Sequence, residues 1–452
     1  MNKYFVKCDL SGIQDFIFDV KTEGAAKELK RRSLYVSHLT KQLLEEDHNH
    51  FVNNFKTIYE GGGNYYISFT SDEDIAKIRE YFINKSRRFL QDDLFPHFAV
   101  VSYNDDFSKA MQEVNQETIR VKQQREILLE PYISRDVQLP EIKKGEGINF
   151  HFPKDESEDG KLENKDKNKK DKVKPLDFDK LAFRAEGDKK LAALKIDVDH
   201  LGMVFRDRLE SEYDLLSHKL KVFFDKELLE LIHKNEYSNQ VYVVFAGGDD
   251  CFLIGCWHTM VELALKIRDE FQTLSKDLKA KIKDLHDITL SAGLIIFHPS
   301  YPVRQLADEV DSFLNKAKQA GRNRITIFGQ PLRWDEYRTV LEIKDQLFNL
   351  VEKKGESKSL IHKVRSSEIG YLSIQRKIRN KGLLDMPKVW KLKYYLHNVK
   401  KENKEAVKKL FDEYTKSLIH DFMNKDNAIN PLIYPIAARL AELQTQKRSK
   451  DE

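Results

Sequence analysis

The stretch VYVVFAGGDDCFLIGCW, residues 241–257, places two glycines and two adjacent aspartates between two apolar runs. The apolar runs predict two strands, and the Gly-rich centre predicts the tight turn that joins them into a hairpin. Neighbouring carboxylates repel each other when both are ionised, and a divalent cation with oxygen ligands removes that repulsion. Asp249 and Asp250 are therefore candidate catalytic and metal-binding residues, although adjacent acids in a Gly turn are also ordinary hairpin chemistry.

A third carboxylate is expected beside this turn. The segment LKIDVDHLG, residues 194–202, reads as a short strand ending at Asp197, and it would neighbour the hairpin in a sheet. Asp197, Asp249 and Asp250 would then converge on one or two Mg²⁺ or Mn²⁺ ions. Such ions lower the pKa of an attacking hydroxyl and neutralise charge on a transferring phosphoryl group. Asp199 either ligates metal or only faces solvent.

Two further groups of residues are candidates for binding a nucleotide. Gly247 and Gly248 allow the tight turn and let phosphates approach the backbone. The segment LADEVDSFLNKAKQAGRNRITIFG, residues 306–329, predicts a helix, a Gly-containing cap and a strand. Lys318 and Arg322 fall one turn apart at the predicted helix end, a spacing that suits a triphosphate. The GRNR sequence is also compatible with an ordinary helix C-cap and solvated arginines.

The hairpin belongs to the second of two similar halves of the chain. Each half predicts a strand, a helix, a hairpin, a helix and a strand. The matching segments are VKCDLSG (6–12) and LKIDVDHLG (194–202), then TIYEGGGNYYISF (57–69) and VVFAGGDDCFLIG (243–255). This internal repeat predicts an α+β fold with two ferredoxin-like palm domains, each an antiparallel sheet covered by helices on one face.

The first copy lacks the paired acids. Its turn reads Gly61, Gly62, Gly63 and Asn64. Asp9 alone cannot hold a metal pair, so we expect the first copy to be a structural or nucleotide-binding partner of the second. Gly62, Gly63 and Asn64 are the candidate contacts, and a tight structural turn is the alternative.

The chain divides into four predicted regions. The run at 154–174 holds almost no residue that could be buried, which predicts a linker. Beyond about 335 the pattern is helical and Lys-rich, and its lysines form either solvated faces or an RNA surface. The predicted boundaries are 1–150 for the degenerate first palm, 151–185 for the linker, 186–334 for the catalytic second palm and 335–452 for a helical domain.

Composition excludes several classes of protein. The 452 residues carry a net charge of +4 and contain no apolar run near the roughly 18 residues that span a bilayer. We expect a cytoplasmic protein without membrane contact, because no secretory signal precedes the first strand. Three scattered cysteines predict neither a disulfide framework nor a zinc knuckle.

Five ordered motifs resemble the large, polymerase-like subunit of type III CRISPR effector complexes, closer to the Csm-type than to the Cmr-type form. They are KCDLSGIQDFIF, KELKRRSLYVSHLTKQLL, EGGGNYYI, LKIDVDHLG and FAGGDDCFLIG. The resemblance implies an antiviral defence protein whose GGDD palm converts ATP into cyclic oligoadenylates when target RNA binds. It also implies guide RNA, small subunits and backbone-type subunits as partners, and Asp197, Asp249 and Asp250 as metal ligands.

The second palm also resembles the GGDEF diguanylate cyclases. That resemblance makes Lys318 and Arg322 phosphate-binding residues. It places Phe205 where those cyclases keep a guanine-reading Asn, which favours adenine over guanine. Members of the CRISPR family typically begin with an HD nuclease domain, and this chain begins at the first palm, so HD-type DNase activity is not expected. The His-Asp pairs at 286–287 and 420–421 are not expected to be nuclease ligands.

Other functions remain open at this point. The palm could join ATP to another small molecule or make a cyclic dinucleotide. A catalytically silent scaffold that only organises guide RNA and small subunits is the alternative outside the enzymes, and the intact Asp249 and Asp250 argue against it.

Overall fold

The computed structural model describes most of both palm regions and part of the helical C-terminus. The described residues are 1–21, 24–89, 93–104, 106–128, 153, 176–205, 208–235, 237–366, 394–422 and 430–446. The charged run at 154–174 lies outside these residues, so its assignment as a linker stays a prediction.

The first palm is built on a four-stranded sheet with the strand order β2-β3-β1-β4. The central strand β1 pairs antiparallel with both β3 and β4. The elements in chain order are β1 (Asn2–Ser11), α1 (Ile13–Phe18), α2 (Ala25–His50), β2 (Lys56–Gly61), β3 (Asn64–Ser71), α3 (Ile75–Arg87), β4 (Phe95–Ser102) and α4 (Phe107–Leu128).

The second palm repeats this plan on a six-stranded sheet with the order β10-β9-β8-β5-β7-β6. The two added strands are β9 and β10. Strand β9 pairs in parallel with β8, and the helix α10 makes the crossover between them. Its elements are α5 (Phe178–Ala182), β5 (Leu191–Val198), α6 (Leu201–Val204), α7 (Glu210–Val222), a π-helical turn (Phe223–Glu227), α8 (Leu228–Lys234), β6 (Val241–Gly247), β7 (Asp250–Cys256), α9 (Trp257–Lys281), β8 (Leu290–Phe297), α10 (Val303–Gln319), β9 (Arg324–Ile327) and β10 (Gln330–Arg333).

The expectation that helices cover one face of each sheet is wrong. In the first palm, Tyr4 and Val6 belong to the main core, whereas Phe5 packs with Phe107 and Val114 of α4 in a separate cluster. Because successive strand residues point to opposite faces, α4 lies on the other side of the sheet from α2 and α3. The strands are apolar on both faces, and each face needs a cover.

The second sheet is covered on both faces in the same way. Gly255 faces Met260 of α9, whereas Gly293 faces Val310 and Leu314 of α10. In the β5 register Gly255 pairs with Ala192 and Gly293 pairs with Lys195, which puts the two glycines on opposite faces. The helix α10 therefore packs on the face that α9 leaves open.

The predicted linker region ends earlier than residue 185. Leu176, Phe178, Leu181 and Ala182 are buried in the main core. The short helix α5 thus belongs to the second palm, because its apolar side chains are covered by β5 and β7.

The C-terminal region is helical, as the sequence predicts. Its described helices include α11 (Trp334–Phe348), α12 (Lys404–Phe422) and α13 (Ile433–Thr445). The helix α13 packs along α11, and the rings of Tyr414 and Tyr434 stack at 4.4 Å. The α+β class with two palms and a helical C-terminal region is confirmed. None of the described helices combines the length and the apolar character needed to cross a membrane.

Replacing Gly293 by Ala tests the packing of α10 on the sheet. A β-carbon at this position would lie 2.6 Å from both the Leu314 amide nitrogen and the Val310 carbonyl oxygen. Because α10 would have to shift, we expect a loss of about 1–3 kcal/mol in the free energy of unfolding. Chemical denaturation measures this loss. Gly202→Ala is the control, since a β-carbon there meets no atom within 4 Å; equal stability of both variants would contradict the packing.

Candidate active site

The GGDD turn is a two-residue hairpin connection. Gly247 and Asp250 are the last paired residues of β6 and β7, so Gly248 and Asp249 form the turn. Gly248 has a φ of 71°, whereas Asp249 does not have a positive φ. A positive φ at the first turn position alone is typical of a type II′ turn, which explains the glycine there. Asp250 begins β7 directly after the turn.

Asp197 lies directly opposite Asp250. The antiparallel register of β5 and β7 pairs these two residues, so their side chains leave the sheet on the same face. Both are half-buried. The structure thus brings Asp197 and the GGDD acids together, as the sequence predicts.

Burial and mutual repulsion make these carboxylates hard to ionise. Burial first, and then the Asp197 carboxylate, raise the pKa of Asp249 to about 6. Burial and the Asp249 carboxylate raise the pKa of Asp250 to about 8. Burial also raises the pKa of Asp197, although Lys318 pairs with it through Nζ. The site holds more acids than nearby cations, an arrangement that a divalent cation would relieve.

The oxygen donors fit a hard divalent cation, but they are not gathered around one point. Among the described residues, no three His, Cys, Asp or Glu side chains stand as a ready-made metal site. The Nζ of Lys318 pairs with Asp197 Oδ2. Lys318 would therefore compete with a metal ion for that oxygen, while Asp197 Oδ1 would still be available to the metal.

Asp199 has a structural role. Its buried carboxylate accepts hydrogen bonds from Ser291 Oγ at 2.6 Å, Thr289 Oγ1 at 2.7 Å and the Asn323 amide at 3.0 Å. These bonds fix the start of β8 to the turn before β9. Neither of the two roles suggested by the sequence, metal ligand or solvent-facing side chain, describes this residue.

Lys318 and Arg322 do not share a helix end. The helix α10 stops at Gln319, and Arg322 lies in the following turn with a φ of 60°. Gly321 breaks the helical spacing, so the two cations do not have to face the same side. Lys318 reaches the carboxylates, whereas no hydrogen bond or ion pair joins the Arg322 side chain to the described part of the chain.

Phe205 packs against another helix of the second palm. Its ring packs on Tyr213 with a centroid distance of 4.4 Å and a tilt of 39°. It follows α6 and contacts the core clusters rather than the cavity beside the GGDD turn. The preference for adenine over guanine at this position stays a prediction.

The first palm has the same strand register, but only one of the two facing residues is an acid. Asp9 lies opposite Asn64, as Asp197 lies opposite Asp250. Gly62 and Gly63 have φ values of 57° and 80°, which is typical of a type I′ turn. The Asn64 amide donates to the Gly62 carbonyl at 3.5 Å, and Lys122 pairs with Asp9 at 2.7 Å. Lys7 also pairs with Asp9, at 3.8 Å, so two lysines balance a single carboxylate here.

A cavity of about 500 Å³ lies between the two palms, beside both glycine turns. Sequence reasoning found its Gly-rich rim but missed its walls. Helix α2 of the first palm contributes polar side chains at helical spacing, and the end of α7 and the π-helical turn contribute an opposite wall. The lining residues outside the turns include Gln14, Ser33, Ser37, Thr40, Lys41, Lys221 and Asp225. The sequence shows the i, i+4 and i+7 spacing of Ser33, Ser37 and Thr40 on α2, but it does not show that these side chains line one cavity.

Two family models match the chain, one over each palm. The model for the second palm domain of Cas10/Cmr2 matches residues 190–326, and the model for Csm1 subunit domain B matches residues 3–128. The resemblance to the large subunit of type III CRISPR complexes is thereby confirmed at the level of these two domains.

Curated relatives and solved structures agree with this result. A Cas10/Csm1 single-strand-specific deoxyribonuclease of subtype III-A from Methanocaldococcus jannaschii is 25% identical, covering 80% of this chain and 64% of its own length. Its Streptococcus thermophilus counterpart is 22% identical, covering 93% and 65%. A Csm1–Csm4 cassette bound to pppApApA superposes with a TM-score of 0.68 at 19% identity, covering 98% of this chain and 69% of that one. The matched region thus spans about two thirds of each relative's own length: 64% and 65% for the two curated proteins and 69% for the cassette chain.

Replacing Asp199 by Ala tests its structural role. Three buried donors would lose their acceptor, so we expect about 3 kcal/mol less free energy of unfolding. Chemical denaturation measures the loss, and Asp199→Asn, which keeps one acceptor oxygen, should lose less. An Asp199→Ala variant as stable as the wild type would contradict this assignment.

Proposed function

We propose that this chain, a relative of the Cas10/Csm1 large subunits, polymerises and cyclises ATP into cyclic oligoadenylates within a type III CRISPR ribonucleoprotein. One observation carries the proposal. Asp250, which lies opposite Asp197 in the sheet, lines a cavity to which both palms contribute a glycine turn. Fixed carboxylates next to a glycine-lined cavity suit phosphoryl transfer between nucleotides.

The cavity has the size and the polarity for a nucleotide. Its volume of about 500 Å³ lies within the range of small-molecule sites, about 300–1,000 Å³. Ser33, Ser37 and Thr40 on α2 offer hydroxyl groups for ribose and base, and Lys41 offers a cation. Glycines at the rim let phosphates approach main-chain amides.

The reaction would join the ribose hydroxyl of one ATP to the α-phosphorus of another. The new O–P bond forms in line with the breaking bond to the leaving pyrophosphate, and the hydroxyl proton passes to solvent. Asp197, Asp249 and Asp250 would hold a divalent cation, which when bound supplies charge neutralisation and a more acidic hydroxyl. Lys318, released from Asp197, would bind the triphosphate.

Solved relatives support this choice of substrate. Other structures of a Csm1–Csm4 cassette contain AMPPNP, cA3 or cA4. A similar cassette also forms a subcomplex of the type III-A CRISPR-Csm interference complex. We therefore propose a backbone-type subunit, small subunits, guide RNA and target RNA as partners, with target RNA as the activating signal.

We do not assign nuclease chemistry to the two His-Asp pairs. Asp287 Oδ1 accepts a hydrogen bond from Lys279 at 2.8 Å, and His420 lies exposed on α12. The curated relatives are described as single-strand-specific deoxyribonucleases. For this chain, the described carboxylate site favours the nucleotidyltransferase.

Replacing Asp249 and Asp250 together by Ala tests the assignment of the active site. The turn itself depends on Gly248, so the complex should still assemble. Loss of the carboxylates should remove several kcal/mol of transition-state stabilisation and reduce product formation about a thousandfold or more. Mass spectrometry after incubation with ATP, Mg²⁺ or Mn²⁺ and target RNA measures the products. Asp197→Ala should behave in the same way.

Asn64→Ala is the matched variant, because Asn64 occupies the equivalent register in the first palm. We expect it to reduce activity only modestly. A double variant of Asp249 and Asp250 with near-normal turnover of ATP would contradict the proposal and favour the scaffold. A product that contains a second small molecule, or a cyclic dinucleotide, would contradict cyclic oligoadenylate synthesis and support the corresponding alternative reaction.

A further inference from the structure

The two glycine hairpins touch each other through their backbones. A β-carbon at Gly61, in the first palm, would lie 3.0 Å from the Cα of Gly248 and 3.1 Å from its amide nitrogen. A β-carbon at Gly248 would lie 3.4 Å from the Gly61 carbonyl carbon. A side chain at Gly61 would therefore force Gly248 to move by a few tenths of an ångström. At Gly248 the positive φ of 71° favours glycine in addition.

The phenol of Tyr59 closes this contact. Its oxygen would lie 2.9 Å from a β-carbon at Gly61 and 2.5 Å from one at Gly248. The Tyr59 side chain thus lies against both Gly61 and Gly248. Burial first, and then the Asp249 carboxylate, raise the pKa of Tyr59 well above its usual value, so the hydroxyl stays protonated.

Ion pairs hold strand β2, which carries both residues, against the second palm. Lys56 pairs with Glu210 at 2.6 Å and with Asp214 at 3.0 Å, both on α7. Glu60 pairs with Lys221 at 3.1 Å. The strands β2 and β6 are edge strands of their sheets, so the hairpins meet edge to edge.

We infer that the acid-free hairpin of the first palm is a positioning element that fixes the GGDD turn through Gly61 and Tyr59. Asp249 directly follows Gly248, so any shift of Gly248 also shifts the carboxylates. The inference rests on the proposed function only in taking product formation as one readout. It explains why the degenerate copy keeps its glycines although it has no catalytic acids. It also gives a route by which reorientation of the palms would change activity.

Gly61→Ala in the assembled complex tests this role. The added methyl group should displace the GGDD turn by a few tenths of an ångström, because a β-carbon at Gly61 would lie 3.0 Å from the Cα of Gly248. An error of about 1 Å in placing a catalytic group costs about a hundredfold in rate, so we expect this smaller shift to lower kcat about tenfold while the KM for ATP stays within about twofold. Gly202→Ala, which makes the same chemical change in open space, should keep the wild-type kcat.

The outcomes distinguish positioning from direct nucleotide binding. A raised KM for ATP with unchanged kcat would mean that Gly61 only contacts the nucleotide, and it would overturn the inference. Unchanged kcat and KM would overturn it as well. A crystal structure of the Gly61→Ala chain provides a readout without activity. A displacement of Asp249 by a few tenths of an ångström is expected, and an unmoved turn would refute the inference even if no ATP product forms.

Tyr59→Phe decides the question if Gly61→Ala does not fold. This variant keeps the ring and removes only the hydroxyl between the turns. A loss of about fivefold in kcat at unchanged KM is expected, because removing the hydroxyl opens a gap beside Gly61 and Gly248 and loosens the packing of the GGDD turn. Wild-type kcat in Tyr59→Phe, measured in the same assembled complex, would overturn the inference.

Discussion

The cross-strand pair of Asp197 and Asp250 is the interaction on which the site depends. The side chains of a strand alternate between faces, so a slip of one residue in the β5–β7 register would send one carboxylate to the opposite face. The observed register holds both acids on one face at the cost of raising their pKa values. Two lysines reduce that cost: Lys318 pairs with Asp197, and Lys195, itself paired with Asp311 at 2.5 Å, lowers the pKa of Asp250. A substrate-bound cation would complete this compensation.

The first palm shows what the same framework becomes without that pair. Its register is identical at Asp9 and Asn64, but the neutral amide removes the repulsion, and Lys122 and Lys7 balance the remaining acid. The copy retains the part of the motif that the interface requires, namely the glycines that approach Gly248. In our proposal the second palm carries the catalytic acids and the first palm positions them. The cavity lies between the two palms.

Local patterns predicted the elements that depend on local physics. The strand that ends at Asp197, the Gly turn before Asp250 and the repeat follow from residue spacing and turn chemistry, and the structure agrees. Errors arose where long-range packing decides. The helix α10 ends at Gln319, so Arg322 lies in the following turn, where its φ is 60°. The polar face of α2 and the covering of both sheet faces likewise depend on partners that are distant in sequence.

The most direct test of this account is a crystal structure of the chain with AMPPNP and Mn²⁺. The account predicts the nucleotide in the cavity between the two glycine hairpins, an anomalous Mn²⁺ signal between Asp197 and Asp250, and the Lys318 side chain turned from Asp197 to the phosphates. A nucleotide bound elsewhere, with Lys318 still paired to Asp197 and no metal at the acids, would contradict the account.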